Sequence, residues 1–254
     1  VEKLFEVIHE DDEFLVINKR AGLVCHPTKG DLYSSLISRV RLYFGPDVRP
    51  QLVNRLDRET SGVTIIAKNE HVARQLRRLW ENRQVKKEYL AIVHGKFGQS
   101  HRTIVASLGK DEQSIVAIKD CVREDGCHAT TDVWLERAFT WEARTPTSAS
   151  AENEPAKSSR FFSLLRVVPH TGRKHQIRIH LGHIGHPIVG DKLYGGDEQI
   201  YMDLVQNRLT AEQWSRLILP NHALHAAQVQ FNWAGQERVF RGEPEPWFKA
   251  FCSS

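Results

Sequence analysis

The sequence predicts an α+β fold. Short apolar, β-branched segments recur along the chain, amphipathic helical stretches are few, and the two kinds do not alternate in the regular way of a doubly wound sheet. The 254 residues are 41% hydrophobic and 26% charged. Those proportions belong to a globular chain able to bury a core, and they exclude a disordered, collagen-like or coiled-coil protein. No apolar run approaches the ~18 residues of a membrane span. Residues 1–13 are acidic and polar and do not read as a signal peptide.

In chain order, residues 13–18 read as a buried strand through Phe14, Leu15, Val16 and Ile17. Residues 32–44 read as a helix stopped by Gly45 and Pro46. A second buried strand covers residues 63–67. Asn69 caps the next helix, which buries Val72, Leu76, Leu79 and Trp80 and leaves Arg74, Arg77 and Arg78 on its outer face. Further strands are expected at 89–93, 103–108, 114–118, 130–135 and 161–168. A short helix follows at 174–184 with the core stripe Ile177, Leu181, Ile184. Gly185 stands where a left-handed C-cap is wanted, with Pro187 two residues on. Residues 204–219 read as one helix and 226–231 as a late strand.

Residues 143–160 stand apart. Of these 18 residues, 13 are Ala, Ser, Thr, Pro or Asn, and none is aromatic or Val, Ile, Leu or Met. Such a stretch buries too little to offset its ordering entropy, so it reads as a flexible insertion in one domain spanning residues 1–254. A domain boundary there is the weaker alternative.

The net charge is +4, and its distribution says more than its size. Residues 1–13 hold six acidic side chains and one lysine, residues 71–100 seven basic and two acidic, and residues 160–180 five basic and none acidic. A basic face assembled from separated segments fits nucleic acid, and ordinary solvated helix faces fit it too. The four cysteines form no CxxC pair and no zinc spacing. Scattered thiols place the chain in a reducing compartment, hence the cytoplasm.

Three clusters carry candidate chemistry. In Asn54-Arg55-Leu56-Asp57-Arg58-Glu59-Thr60-Ser61-Gly62, an aspartate lies between two arginines ahead of an apolar strand. Neighbouring guanidinium groups keep such a carboxylate ionised, fit to act as nucleophile or base. The same residues also suit a plain turn. In Thr171-Gly172-Arg173-Lys174-His175-Gln176-Ile177-Arg178, Gly172 opens a helix whose first turn carries Arg173 and Lys174, a combination suited to phosphate. Arg178, one residue past Ile177, emerges at the rim of the core face within reach of a carboxylate from another segment. A surface cationic helix is the alternative. In Lys86-Lys87-Glu88-Tyr89, Lys87 and Tyr89 share one strand face and offer a cation and an aromatic plate to an unstacked base. Taken alone, these residues read better as a half-buried strand tyrosine. His175, His180, His183 and His186 invite a metal, but no carboxylate or cysteine lies close until Asp191 and the arginines oppose a dication, so no metal site is assigned.

Taken together these residues resemble the RluA family of RNA pseudouridine synthases. The resemblance rests on Arg55-Leu56-Asp57-Arg58 with Thr60-Ser61-Gly62, on Lys87 to Leu90, and on Gly172, Arg173 and His175 to Arg178. The run Gly185 to Gly195, Leu224-His225-Ala226, and Ile17-Asn18-Lys19 with Gly22 also fit, in order, over residues 14–231. Asn54, Arg20 and Lys174 depart from the family's usual histidine, proline and threonine. The resemblance implies a pseudouridine synthase fold, with a mostly antiparallel or mixed central sheet flanked by helices and a cleft across the sheet. The small N-terminal RNA-binding domain that many relatives carry has no counterpart in these residues.

The resemblance also implies site roles. Asp57 is the essential carboxylate and Arg178 its ionic partner. Tyr89 stacks on the target uracil and takes part in moving the C5 proton, and Arg55 enters the RNA stack. Lys19, Lys87, Arg173 and Lys174 complete the expected RNA contacts. The implied reaction is an isomerisation of RNA uridine that needs no cofactor and no metal, with ribosomal RNA favoured over transfer RNA and a monomer as the default state. Two other readings use the same residues: a non-catalytic RNA-binding protein that kept the fold, and a glycosidase-type hydrolase, which wants a second carboxylate such as Glu59 or Glu88.

Overall fold

The computed structural model describes residues 5–27, 34–142 and 159–253. The elements run β1 (Phe5–Glu10), β2 (Phe14–Lys19), α1 (Leu36–Phe44), β3 (Gln51–Leu52), β4 (Ser61–Ala67), α2 (Glu70–Glu81), β5 (Lys86–His94), β6 (His101–Val105), β7 (Leu108–Lys110) and β8 (Asp120–Val122). There follow β9 (Thr130–Glu142), β10 (Ser159–Pro169), α3 (Gln176–His183), α4 (Gln199–Val205), α5 (Ala211–Leu217), β11 (Leu224–Trp233), β12 (Gln236–Arg241) and α6 (Pro246–Ser253). The fold is α+β, as expected. A ten-stranded sheet runs β1-β2-β4-β11-β5-β10-β9-β6, with β3 on β4 and β12 on β11, and β7–β8 form a separate hairpin.

One seam of the large sheet is parallel. β11 meets β4 only at His225↔Ser61 and Ala226↔Gly62, and the other strand pairs are antiparallel. The seam brings two backbones unusually close. Gly62 has φ +117°, and a Cβ there would sit on the Ala226 backbone. Only glycine tolerates both conditions. Across the same seam His225 Nε2 lies 2.8 Å from the Gly242 carbonyl, so it must donate, and Nδ1 then accepts from Ser61 Oγ at 2.9 Å. Gly62→Ala is expected to destabilise the chain by about 3 kcal/mol through backbone clash and strain. Urea unfolding measures this, and a change below about 0.5 kcal/mol, the scale of an ordinary surface substitution, would show the seam to be slack.

Core packing follows the strand and helix stripes. Asn69 Oδ1 accepts the Val72 N–H at 3.0 Å and starts α2, which buries Val72, Ala73 and Leu76 against β2, β4 and β11. α3 sets Ile177 and Leu181 against β5 and β10, with Ile184 partly buried at the edge. It ends on Gly185 (φ +82°): Gly185 N–H reaches Gly182 O at 3.0 Å and His186 N–H reaches Leu181 O at 2.9 Å, a Schellman closure.

Several expected elements differ. The helix expected at 32–44 begins at Leu36 after the N-cap Ser35, and residues 32–33 lie outside the described residues. Residues 114–118 are the tip of the β7–β8 hairpin and not a strand: Val116 N–H donates to Ser114 Oγ at 3.0 Å and Lys119 N–H to Val116 O at 2.9 Å, so local turn bonds replace a ladder. The strand expected at 103–108 is divided between β6 and β7. The helix expected at 204–219 is two helices. Asn207 adopts φ +53° after α4, and Thr210 opens α5 with a capping box to Gln213. β1, β12 and α6 were not signalled by pattern. Residues 143–158 of the expected insertion lie outside the described residues, and the flanking β9 and β10 pair directly up to Glu142↔Ser159. No helix among the described residues is long and apolar enough to cross a membrane.

Candidate active site

The site forms where β4, β11 and β5 converge. The loop from β3 to β4 carries Asp57, β5 carries Tyr89, and α3 carries Arg178. All three line one open cleft of about 510 Å³, with Arg55, Lys87, Arg173, His175 and Leu224. Asp57 is the one acidic side chain lining it among the described residues.

Arg178 is the hinge of the charge arrangement. Its Nη1 donates to Asp57 Oδ2 at 2.8 Å, while Nε and Nη2 grip Asp191 at 2.7 and 2.9 Å. The Asp191 side chain is fully buried and its Oδ1 also accepts the Leu193 and Tyr194 amides at 2.9 and 3.0 Å. Tyr194 packs its ring 5.0 Å from the guanidinium centre. The fork geometry explains the choice of arginine: one planar group serves two carboxylates at fixed angles. Burial, the largest single influence, pushes the Asp57 carboxyl upward, but the Arg178 charge and hydrogen bond, together with His175 and His222, outweigh it, so the carboxyl is held below its usual range. The Asp57 side chain keeps 33% of its surface exposed, against 9% for Arg178. The carboxylate is therefore ionised, aimed and accessible.

Its backbone is fixed from both sides. Lys19 is fully buried and its Nζ donates to the carbonyls of Arg20, Leu23 and Arg58 at 2.9, 2.9 and 3.1 Å. Burial, the leading cause, lowers its pKa to about 8. Opposite, Lys192 Nζ meets Glu59 at 2.8 Å and the Pro220 carbonyl. Glu59 also accepts the His222 N–H at 3.1 Å, and His222 Nε2 lies 2.7 Å from Thr60 Oγ1. Burial drops the His222 pKa to about 3, so this imidazole is neutral at physiological pH. Asn54 fastens the start of the loop: its amide donates to Val63 O at 3.2 Å and accepts the Ile65 N–H at 2.8 Å.

Tyr89 presents its ring to the cleft from the middle of the sheet. Burial, then the Asp57 charge, push its pKa up to about 12, which keeps it a neutral phenol. His175, in the left-handed region at φ +54°, places Nδ1 2.9 Å from Tyr194 Oη and Nε2 3.8 Å from Asp57 Oδ1. Burial and the nearby Arg178 lower its pKa, so it adds polarity and little charge. Arg55 is exposed at the cleft mouth.

Three sequence expectations need correction. Lys19 does not face RNA: its three donors are spent on buried carbonyls, and it holds the Asp57 loop in place. Arg173 and Lys174 do not occupy the first turn of a helix, because α3 begins at Gln176. Gln176 takes that place by bonding Thr130 O, Thr131, Thr171 and the Arg173 N–H. Lys174 pairs with Asp120 at 2.8 Å and does not line the cleft, whereas Arg173 does, with its Nε on His128 O at 3.2 Å. Three of the four clustered histidines turn to separate partners, His180 to Thr131 and Ala106 O, His186 to His94 O, and His175 into the site, consistent with no metal site being assigned to them. Sequence reasoning missed Asp191, Lys192 and Tyr194 as site residues, although the run holding them was visible.

A profile of the RNA pseudouridylate synthase family matches residues 13–183. The chain belongs to that family. It is 34% identical over 232 residues to tRNA pseudouridine synthase C of Pasteurella multocida, covering 89% of this chain and 85% of the relative. It is 33% identical over 229 residues to the ribosomal large subunit pseudouridine synthase D of Buchnera aphidicola, covering 88% and 63%. The chain spans 55% to 65% of the length of several further relatives named as RNA pseudouridine synthases. Among solved structures, human RNA pseudouridylate synthase domain containing 1 superposes with a TM-score of 0.71 at 22% identity, over 97% of this chain and 86% of that one. That likeness establishes the fold.

Proposed function

We propose that this chain converts uridine to pseudouridine in RNA, with Asp57 as the reacting carboxylate. One observation carries the reading: in a chain of this family, an ionised carboxylate gripped by Arg178 is, among the described residues, the sole acidic group in a cationic cleft that also holds an aromatic plate. The reaction balances within the nucleoside. The N1–C1′ bond breaks, C5 bonds C1′, the C5 proton leaves, and N1 gains a proton. Nothing is oxidised and no group is lost. The cleft has to admit an unstacked nucleotide, retain free uracil while it turns, and limit water.

Each part has a task in this reading. Extruding the base costs a few kcal/mol, which stacking on Tyr89 and contacts of Arg55, Lys87 and Arg173 to the backbone offset. Asp57 Oδ2 stays on Arg178, which leaves Oδ1 to act at the ribose–base junction. Closure by RNA lowers the local dielectric and strengthens the Arg178–Asp57 attraction. A neutral Tyr89 suits a stacking surface and a proton relay better than a resting base. A hydrolase would need a second carboxylate in the cleft. Glu59 is committed to Lys192, and Glu88 lies 3.5 Å from Arg166.

The deciding experiment incubates the chain with RNA and maps pseudouridine across both ribosomal and transfer RNA. Ribosomal RNA is the favoured target, and relatives carry names of both kinds. Released uracil without carbon–carbon glycoside would instead indicate hydrolysis, and RNA binding with neither product a retired enzyme. Tyr89→Ala is expected to lose one stacked base, roughly 1–3 kcal/mol or ~10–100-fold in turnover. Tyr89→Phe keeps the ring and isolates the hydroxyl. Equal rates for both variants would remove the stacking role.

A further inference from the structure

The cleft continues sideways. Arg55 lines both the cleft and an adjoining open groove of about 720 Å³ between α1, β3 and α2. Leu52 and Val53 lie in this groove, and Arg41 from α1 and Arg77 from α2 stand over it. Among the described residues no aspartate or glutamate lines it. Arg77 donates to Gln51 Oε1 at 3.0 Å and Leu52 O at 3.2 Å, both uncharged, so its cation is positioned without being neutralised. Arg41 and Arg55 are exposed. Their fields converge on His26 at the groove edge, whose pKa is lowered by burial and then by Arg55 and Arg41. Arg41 also lines a further depression with Arg49.

These cations come from separate segments of the chain, so no single solvated helix face accounts for them. Each is an arginine, whose planar fork matches phosphate oxygens and stacks on bases. The groove opens from the point where a displaced nucleotide must enter. We infer that it is the track of the single RNA strand flanking that nucleotide, with phosphates meeting Arg55, Arg77 and Arg41 in turn and Arg49 beyond. The inference rests on the uridine-isomerase reading and adds where the substrate strand lies. An acidic protein partner would use the same charge, but it has no reason to begin at the cleft mouth.

The test is binding of a single-stranded oligouridylate to the full chain across a salt series, for wild type, the exposed pair Arg41→Gln/Arg49→Gln, and the remote control Arg102→Gln. Single-turnover pseudouridine formation at saturating cellular RNA is measured beside it. Losing two phosphate contacts on a single strand is expected to lower the log–log salt slope by about 1.4 and to weaken binding roughly tenfold at moderate salt. The saturated rate and the Arg102→Gln variant should match wild type. A slope and affinity equal to wild type in the pair would overturn the track and leave the groove to a protein or to no ligand. Failure of wild type itself to make pseudouridine would instead fell the underlying reading, and this inference with it.

Discussion

An Asp57→Asn variant is expected to bind RNA as the parent does and to make no measurable pseudouridine. The exchange is nearly isosteric. Its amide oxygen still accepts from Arg178 Nη1, and Arg178 keeps both bonds to Asp191. Lys19 still holds the Arg58 carbonyl of the loop, and Lys192 and His222 still hold its Glu59 side chain. The variant loses the negative charge and the nucleophilic or basic oxygen. Removing such a group lowers turnover by about 10⁴-fold or more, while contacts of Arg55, Lys87 and Arg173 to the RNA backbone are untouched. Asp57→Glu is a useful companion: it keeps the charge and moves it by one methylene, and a displacement of about 1 Å costs on the order of 10²-fold. Product counted per enzyme in a single turnover, with RNA affinity measured alongside, separates chemistry from binding. Near-normal product from Asp57→Asn would remove this carboxylate from the mechanism. The wild-type profile supplies a second check. Because Arg178 holds the Asp57 carboxyl below its usual range, the rate should be level through neutral pH and fall only in acid, as the carboxylate takes up a proton.

The parts of this arrangement that were legible in the sequence are those with a local signal. Asn69 announced α2 because a cap needs only its own next turn, and Gly185 announced the end of α3 because a left-handed residue is wanted there. Asp57 stood out because two arginines flank it, although its true partner is Arg178, 121 positions away. The expectation that Arg178 would find a carboxylate from another segment was sound, but periodicity alone left it at the rim of the core face. It is buried, because a second carboxylate, Asp191, compensates it inside. Nothing local marks Asp191 as that compensator, since the bond closes only when the loop after α3 folds back. Lys19 misled for the same reason. A lysine at the end of a buried strand reads as a free cation until Arg20, Leu23 and Arg58 are seen to surround it with carbonyls. Residues 114–118 and 204–219 carried strand and helix patterns that turn chemistry overrode, at Ser114 in one and at Asn207 and Thr210 in the other.

Arg178→Ala should fail in stability as well as in activity, and the pH dependence of that failure tests the cause. In the wild type, burial works to raise the Asp191 pKa. The Arg178 charge and hydrogen bonds outweigh burial, with His222 and the Tyr194 amide adding to them, so the carboxyl is strongly depressed. A depressed carboxyl contributes stability that is present above its unfolded pKa of ~4 and is lost as pH falls through the folded value. Alanine at 178 removes the compensating charge and leaves Asp191 fully buried. An orphaned buried charge costs about 3–5 kcal/mol. The sign of the linkage then inverts: the lone carboxyl has a raised pKa and takes up a proton on folding, so acid favours the folded variant. The gap between wild type and Arg178→Ala in urea unfolding should therefore be widest near neutral pH and narrow on going to about pH 5. Arg178→Lys retains a charge but not the fork that serves Asp57 and Asp191 together. It should recover part of the stability and little of the turnover. A gap that stays constant or widens in acid would mean that Arg178 contributes through packing against Tyr194 and not through the buried carboxylate.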